Sequence, residues 1–235
     1  MKTDGHSRAE VAYRHLKRLI LSAQMRPDSV IDEKGVAAEL GMSRTPVRQA
    51  IGRLDQEGFV RVLPQRGTLV APLSVADIQQ VYLMRSLVEP AAAAVAAQRA
   101  TAEDVAMLQE AEKTYLRELA ENGDRSFHTL FHVAVAEVAG ISRLTRIVRE
   151  LQEQTEWYLA LGDAEGRQNP SPHTHQLLID AIAANDVEGA REISRSSILS
   201  SRSKILAGIG PDAGLLVAAA NVVQAPRGDA LQALS

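Results

Sequence analysis

Over 235 residues, 46% hydrophobic and 23% charged content is the balance of an ordinary soluble globular protein; with aromatics at 3%, its core must come from Leu, Ile, Val and Ala. The absence of cysteine excludes disulfides and thiolate metal sites and suits a reducing cytoplasm, no run approaches the ~20 apolar residues of a membrane helix, and residues 1–9 form no apolar secretory segment. The net charge of -3 is unevenly spread: residues 1–73 hold twelve Lys/Arg against eight Asp/Glu and the rest fourteen against twenty-one, so only the front suits a polyanion.

Apolar residues at Val11, Ala12, Leu16, Leu19 and Ile20 predict a helix over 7–22. A turn at Arg26-Pro27-Asp28 leads to a very short strand at Val30-Ile31. A second helix is expected over 33–40, with Val36, Ala37 and Leu40 on one face, and Gly41 supplies the left-handed residue that ends it. Ser43 is placed to cap a third helix whose stripe is Val47, Ala50, Ile51 and Leu54; Pro46 is tolerated in its first turn. That helix stops at Gly58, and two β runs, 59–63 and 68–71, flank Pro64-Gln65-Arg66-Gly67 as a hairpin. Beyond Pro72 every segment reads as helix: about 74–99, kinked before Pro90, then 101–121, 124–139, 142–162, 172–184 and 186–206. Ser74…Asp77 and Thr101…Asp104 resemble capping boxes with Asp replacing Glu. Residues 208–235, rich in Ala, Gly and Pro, are expected to form a mobile tail.

The expected fold is therefore mainly α. A winged helix-turn-helix domain (1–73) precedes an all-α bundle of about six helices (74–207). In the third helix the apolar stripe leaves Arg44, Thr45, Arg48, Gln49 and Arg53 on the opposite face. Arg44 and Arg48, one turn apart, point the same way from its first turns. There they can enter a major groove and pair bidentately with guanine, while Ser43, Thr45 and backbone amides hold phosphates. Arg66 at the hairpin tip, beside Gly67, can reach the minor groove or backbone.

The run Asp32-Glu33-Lys34-Gly35-Val36-Ala37-Ala38-Glu39-Leu40-Gly41-Met42-Ser43-Arg44-Thr45-Pro46-Val47-Arg48-Gln49-Ala50 resembles the GntR family of bacterial regulators. Leu54-Asp55-Gln56-Glu57-Gly58-Phe59-Val60 and Gln65-Arg66-Gly67-Thr68 continue the likeness. The resemblance implies DNA contacts from Lys34, Ser43, Arg44, Thr45, Arg48, Arg66 and Gly67. Lys34 replaces a common arginine, which favours a phosphate contact there. Residues 74–206 resemble the FCD effector domain of the FadR-like branch. The carriers are Met84-Arg85-Ser86-Leu87-Val88-Glu89-Pro90, Phe131-His132 leading to Ala136-Glu137-Val138-Ala139-Gly140, and His175 leading to Ile179-Asp180-Ala181-Ile182.

His128 and His132 lie four apart, so one helix face can offer both to a metal, with His175, and His173 near it, coming from a later helix. In the metal-binding FCD pattern His128 stands where an Asp is expected and Ser197 where a last His is expected. The resemblance implies one divalent transition metal, zinc or nickel, per subunit. A metal-free, histidine-lined pocket is the alternative. Asp124 reads as a helix-start residue. Arg85 is open to two readings, a clamp on an effector carboxylate or an ion pair with Glu89 one turn on. Enzyme chemistry is disfavoured, because Thr129 stands where a metalloprotease has its Glu, and no nucleophile elbow or nucleotide fingerprint occurs. The expected protein is a cytoplasmic homodimer on a pseudo-palindromic operator, repressing until a small organic acid binds Arg85, His128, His132 and His175.

Overall fold

The computed structural model describes residues 7–65, 67–122, 126–164 and 175–208. Arg66, Asp124, His173 and the tail from 209 onward lie outside the described residues, and so do the expectations placed on them.

Helix α1 (Arg8–Leu21) starts where the Ser7 hydroxyl accepts from the Glu10 amide, and it buries Ala12, Tyr13, Leu16 and Ile20. Helix α2 (Glu33–Glu39) is capped by Asp32, whose carboxylate accepts from the Lys34 amide. Gly41 at φ 59 turns the chain into α3 (Arg44–Gln56), which sets Val47, Ala50, Ile51 and Leu54 against α1. Ser43 occupies the cap position of α3, but its hydroxyl makes no capping bond, contrary to the expected role. Strands β1 (Val60–Leu63) and β2 (Gly67–Val70) pair antiparallel from Val60↔Val70 to Leu63↔Gly67 and form the wing. The strand expected at Val30-Ile31 reduces to one bridge, Val30↔Leu69, because Asp28 turns the chain on one side and α2 begins just beyond. Backbone bonds from Ile31 to Thr68 and from Val70 to Ser29 still fasten this segment to the wing.

Helix α4 (Val75–Arg99) opens with a complete Ser74–Asp77 capping box and continues as one helix through Pro90. Thr101 and Asp104 exchange the equivalent bonds ahead of α5 (Ala102–Asn122). Helices α6 (Ser126–Val138), α7 (Ser142–Ala164), α8 (Gln176–Ala183) and α9 (Val187–Gly208) complete the bundle. Helix α4 packs against α6, α7, α8 and α9 and so forms the bundle's axis.

Apolar packing falls into separate zones. One zone runs from α1 and α3 through Phe59 and Val70 into Ile78, Tyr82, Trp157, Leu161 and Ile198, joining the winged helix to the near end of the bundle. A second centres on Ala93, Leu108, Phe131, Ile179 and Ile182 at the far end, and a small third one joins Ala92, Ala136 and Val148. Each fully buried Leu or Phe contributes roughly 1.5–3 kcal/mol. Also buried in the bundle are the polar residues Arg85, Glu89, Glu112, Thr129, Gln152, Thr155 and His175. An interior with this many polar groups is costly unless they pair or serve a ligand.

Candidate DNA-reading surface and histidine site

The face of α3 opposite its apolar stripe carries Arg44, Thr45, Arg48 and Gln49, all exposed, with Ser43 and Lys34 beside them. Gly67 is exposed at the wing with φ 94, a conformation that favours glycine and lets the backbone approach another surface. Both arginines converge on Glu33: its Oε2 accepts from Arg44 Nη2 at 3.0 Å and from Arg48 Nε at 2.9 Å. The Arg48 hydrogen bond, followed by that of Arg44, holds the Glu33 carboxyl below the usual carboxylate range. Arg53, grouped with this face by sequence, turns away from it. Its guanidinium stacks on Tyr13 at 3.6 Å and pairs with Glu10 and Glu57, so it braces α3 against α1.

In the bundle, α6 and the start of α8 bring His128, His132 and His175 together. Their ring centroids stand 4.6 Å (128–132), 5.0 Å (128–175) and 5.0 Å (132–175) apart. One ligating atom from each lies within 4.8 Å of the others. Tyr115 closes one side with its ring 5.5 Å from those of His128 and His175, and Phe131 stacks on His175 at 4.1 Å.

Two carboxylates, neither foreseen in this role, stand behind the imidazoles. Glu112 of α5 accepts from the His175 backbone amide at 2.8 Å and meets its Nδ1 at 2.7 Å. Glu89 of α4 faces His132 Nδ1 at 3.4 Å. With Nδ1 engaged, Nε2 is the atom His132 and His175 can turn to a cation, and both Nε2 atoms are buried. Carboxylates behind ligating imidazoles fix ring orientation and raise basicity, so this donor set fits zinc or nickel. Ser197, where the family pattern led one to expect a histidine, is half-buried on α9.

Arg85 is buried and its nearest partner is Glu89, Nε to Oε1 at 2.6 Å; Nη1 donates to Thr155 Oγ1 at 3.2 Å and the guanidinium lies over Tyr82. The ion pair one turn along the helix is thus formed. Glu89 thus bridges Arg85 to His132.

Lys17 of α1 is a functional residue that the apolar spacing of its helix does not single out. It is buried where the two regions meet, its Nζ 2.8 Å from Glu57 and 2.8 Å from Glu153 of α7, with Tyr13 and Phe59 rings beside it. Gln154 donates to the Glu57 carbonyl at 3.2 Å, and Phe59 meets Trp157 edge-on at 5.8 Å. The other side of the same stretch of α7 faces the bundle interior. There Thr155 meets Arg85, and Glu156 accepts from Thr129 at 3.0 Å, one residue from His128. No sequence pattern signals these pairings, because their partners lie tens of residues apart.

A winged helix-turn-helix with a basic recognition face, joined to a helical bundle with a polar interior, defines a ligand-responsive DNA-binding regulator. The gntR family of bacterial regulatory proteins matches residues 8–70 and the FCD domain matches residues 80–199. The chain therefore belongs to the GntR family, in its branch with an FCD effector domain, and is a transcriptional regulator. Similar proteins include an HTH-type transcriptional regulator from the TAR-I ttuE-ttuC' intergenic region of Agrobacterium vitis, 34% identical over 140 residues, 55% of this chain and 82% of the relative. Another, named "Probable D-xylose utilization operon transcriptional repressor", comes from Paenarthrobacter nicotinovorans and is 32% identical over 73% of this chain and 74% of its own. The solved structure of Escherichia coli McbR superimposes with a TM-score of 0.75 at 24% identity, covering 87% of this chain and all of McbR, a likeness of fold. Among the described residues, no helix is long and apolar enough to cross a membrane.

Proposed function

We propose that this regulator is a cytoplasmic homodimeric repressor whose grip on a pseudo-palindromic operator is set by a small organic acid bound at a metal on His128, His132 and His175. The observation that carries the reading is the histidine triangle backed by Glu89 and Glu112. When bound, a divalent zinc or nickel ion supplies a positive centre able to accept a carboxylate. Such a charge is needed there: Arg85 is already matched by Glu89, and Glu112 and Glu156 add negative charge nearby. A carboxylate entering without a cation would meet net repulsion.

On the DNA side, Arg44, Arg48 and Gln49 read base edges in the major groove, and Lys34, Ser43 and Thr45 hold phosphates. Gly67, together with Arg66, serves the wing contact. Ser43 is suited to a phosphate because its hydroxyl is not spent on capping. Glu33 keeps both arginines extended toward the groove until bases replace it. The exposed apolar stripe Leu83, Met84 and Leu87 on α4 supports a dimer built through the bundle.

Coupling follows from α7. Residues 155 and 156 touch the polar interior, while 153, 154 and 157 touch the winged helix. An acid that binds one setting of α7 more tightly than another changes the presentation of α3, and only that difference in affinity can act. No turnover is assigned to the site, since Thr129 holds the position of a metalloprotease base and is bonded to Glu156.

The test combines metal analysis with DNA binding. Protein purified without a metal-affinity tag, stripped and reloaded with zinc, is expected to hold one ion per chain, and His132→Ala none. Operators selected from a random-sequence duplex pool should be shifted by the wild type and not by Arg48→Ala at equal helix content. Absence of tightly held zinc before and after reloading removes the metal, and an unchanged shift with Arg48→Ala removes the DNA assignment.

A further inference from the structure

We propose that Gln152 is an effector-binding residue of the histidine site and that the effector is a small 2-hydroxy acid. The inference rests on the metal-carboxylate reading above. Gln152 is 1% exposed, and among the described residues neither its amide nitrogen nor its carbonyl oxygen has a hydrogen-bond partner. Leaving both ends of a buried amide unsatisfied is a cost that native interiors rarely carry without a use.

Its place in the fold points to that use. Four residues before it, Val148 packs with Ala92 of α4 and Ala136 of α6. Three and four residues after it, Thr155 meets Arg85 of α4 and Glu156 meets Thr129 of α6. Helix α7 thus runs antiparallel to both neighbours. Along their lengths, Gln152 falls level with residue 88 or 89 of α4 and residue 132 or 133 of α6. Around the helix it lies between the α4-facing Thr155 and the α6-facing Glu156. The side chain therefore enters the seam between α4 and α6 at the height where Glu89 faces His132.

A neutral amide beside a metal-bound carboxylate avoids adding charge to a site that already holds Glu89, Glu112, Glu156 and Arg85. Its NH2 donates and its carbonyl accepts. A bare carboxylate can satisfy only the donor. A carboxylate with a neighbouring hydroxyl satisfies both, one oxygen accepting from Nε2 and the hydroxyl donating to Oε1. A site built to bond a hydroxyl rejects the analogue lacking it, because its polar group is then left buried and unmatched.

The probes are malate and succinate, which differ by one hydroxyl, titrated calorimetrically into zinc-loaded full-length protein. The wild type is expected to bind malate at least about tenfold more tightly than succinate, the discrimination of a matched hydroxyl. Gln152→Leu should keep its zinc and lose that preference, while its ligand-free Tm stays level or rises as the unmatched amide disappears. Equal affinities in the wild type, a preference that survives Gln152→Leu, or a lowered Tm in the variant each overturn the proposal. Should the wild type take up no zinc, the metal reading fails separately. The same titrations on metal-free protein then decide Gln152: a malate preference lost in the variant supports it, and no preference overturns it.

Discussion

Replacing Lys17 by methionine removes a charge from the junction while keeping most of the side chain's volume. Lys17 is 8% exposed and its Nζ holds Glu57 and Glu153, each at 2.8 Å, one from the winged helix and one from α7. Without the ammonium the two carboxylates face each other in a site that is mostly closed to water. Breaking a buried ion pair costs on the order of 3–5 kcal/mol. Glu57 keeps Arg53 and the Tyr13 hydroxyl, so the lower end, about 3 kcal/mol, is expected. For a chain of this size that corresponds to a fall in Tm of roughly 6–12 °C.

The loss should depend on pH in a determined direction. Burial by itself raises the Glu57 carboxyl, but its bonds with Lys17, Tyr13 and Arg53 outweigh this and hold it below the ordinary value. A carboxylate lowered by folding contributes stability above its unfolded pKa, about 4.3, and loses it as pH falls through the folded value. The gap between wild type and Lys17→Met is therefore widest near neutrality and narrows below about pH 4. Urea unfolding followed by circular dichroism and by Trp157, the chain's single tryptophan and itself part of the junction, measures both effects. A cost under about 1 kcal/mol, the worth of a surface pair, or a loss that is the same at about pH 3 and at pH 7, refutes the reasoning.

Other expectations follow from the same geometry. Glu112→Gln keeps the volume behind His175 but weakens its hold on the ring, so zinc affinity should drop about 10–100-fold with the fold intact; unchanged affinity in a chelator competition would count against the metal site. Burial, opposed by Lys17 and reinforced by Glu57, pushes the Tyr13 phenol up to about 12. A pKa raised by folding gives stability that is complete below the unfolded value of about 10 and lost as pH climbs toward the folded one. Alkaline denaturation should accordingly show falling stability between those values, and Tyr13→Phe should flatten the fall. Leu83→Arg with Leu87→Arg places two charges on the exposed stripe of α4, and light scattering should then report a monomer; a persistent dimer would place the interface elsewhere.

Local order was written plainly in the chain. The apolar spacing of Val47, Ala50, Ile51 and Leu54 defined α3 and therefore which of its residues face outward. Ser74…Asp77 and Thr101…Asp104 marked helix starts that the structure closes with the expected bonds. His128 and His132, one turn apart, had to share a face whatever surrounded them. Periodicity and capping act within a few residues, so a linear reading captures them.

Tertiary packing decided which polar groups meet. For Arg85 the chain offered a ligand clamp and an ion pair with equal claim, and its burial beside Glu89 and Thr155 formed the pair. Ser43 lay where a cap belongs, yet its hydroxyl stayed outside the helix bonds. Glu112 meets His175 across 63 positions of sequence and Lys17 meets Glu153 across 136. Gln152 stood out from its neighbours only once α4 and α6 enclosed it. A charge or amide near the surface is satisfied by water wherever it points. Only where the fold removes water must it find a particular partner, and that partner is set by packing between distant helices.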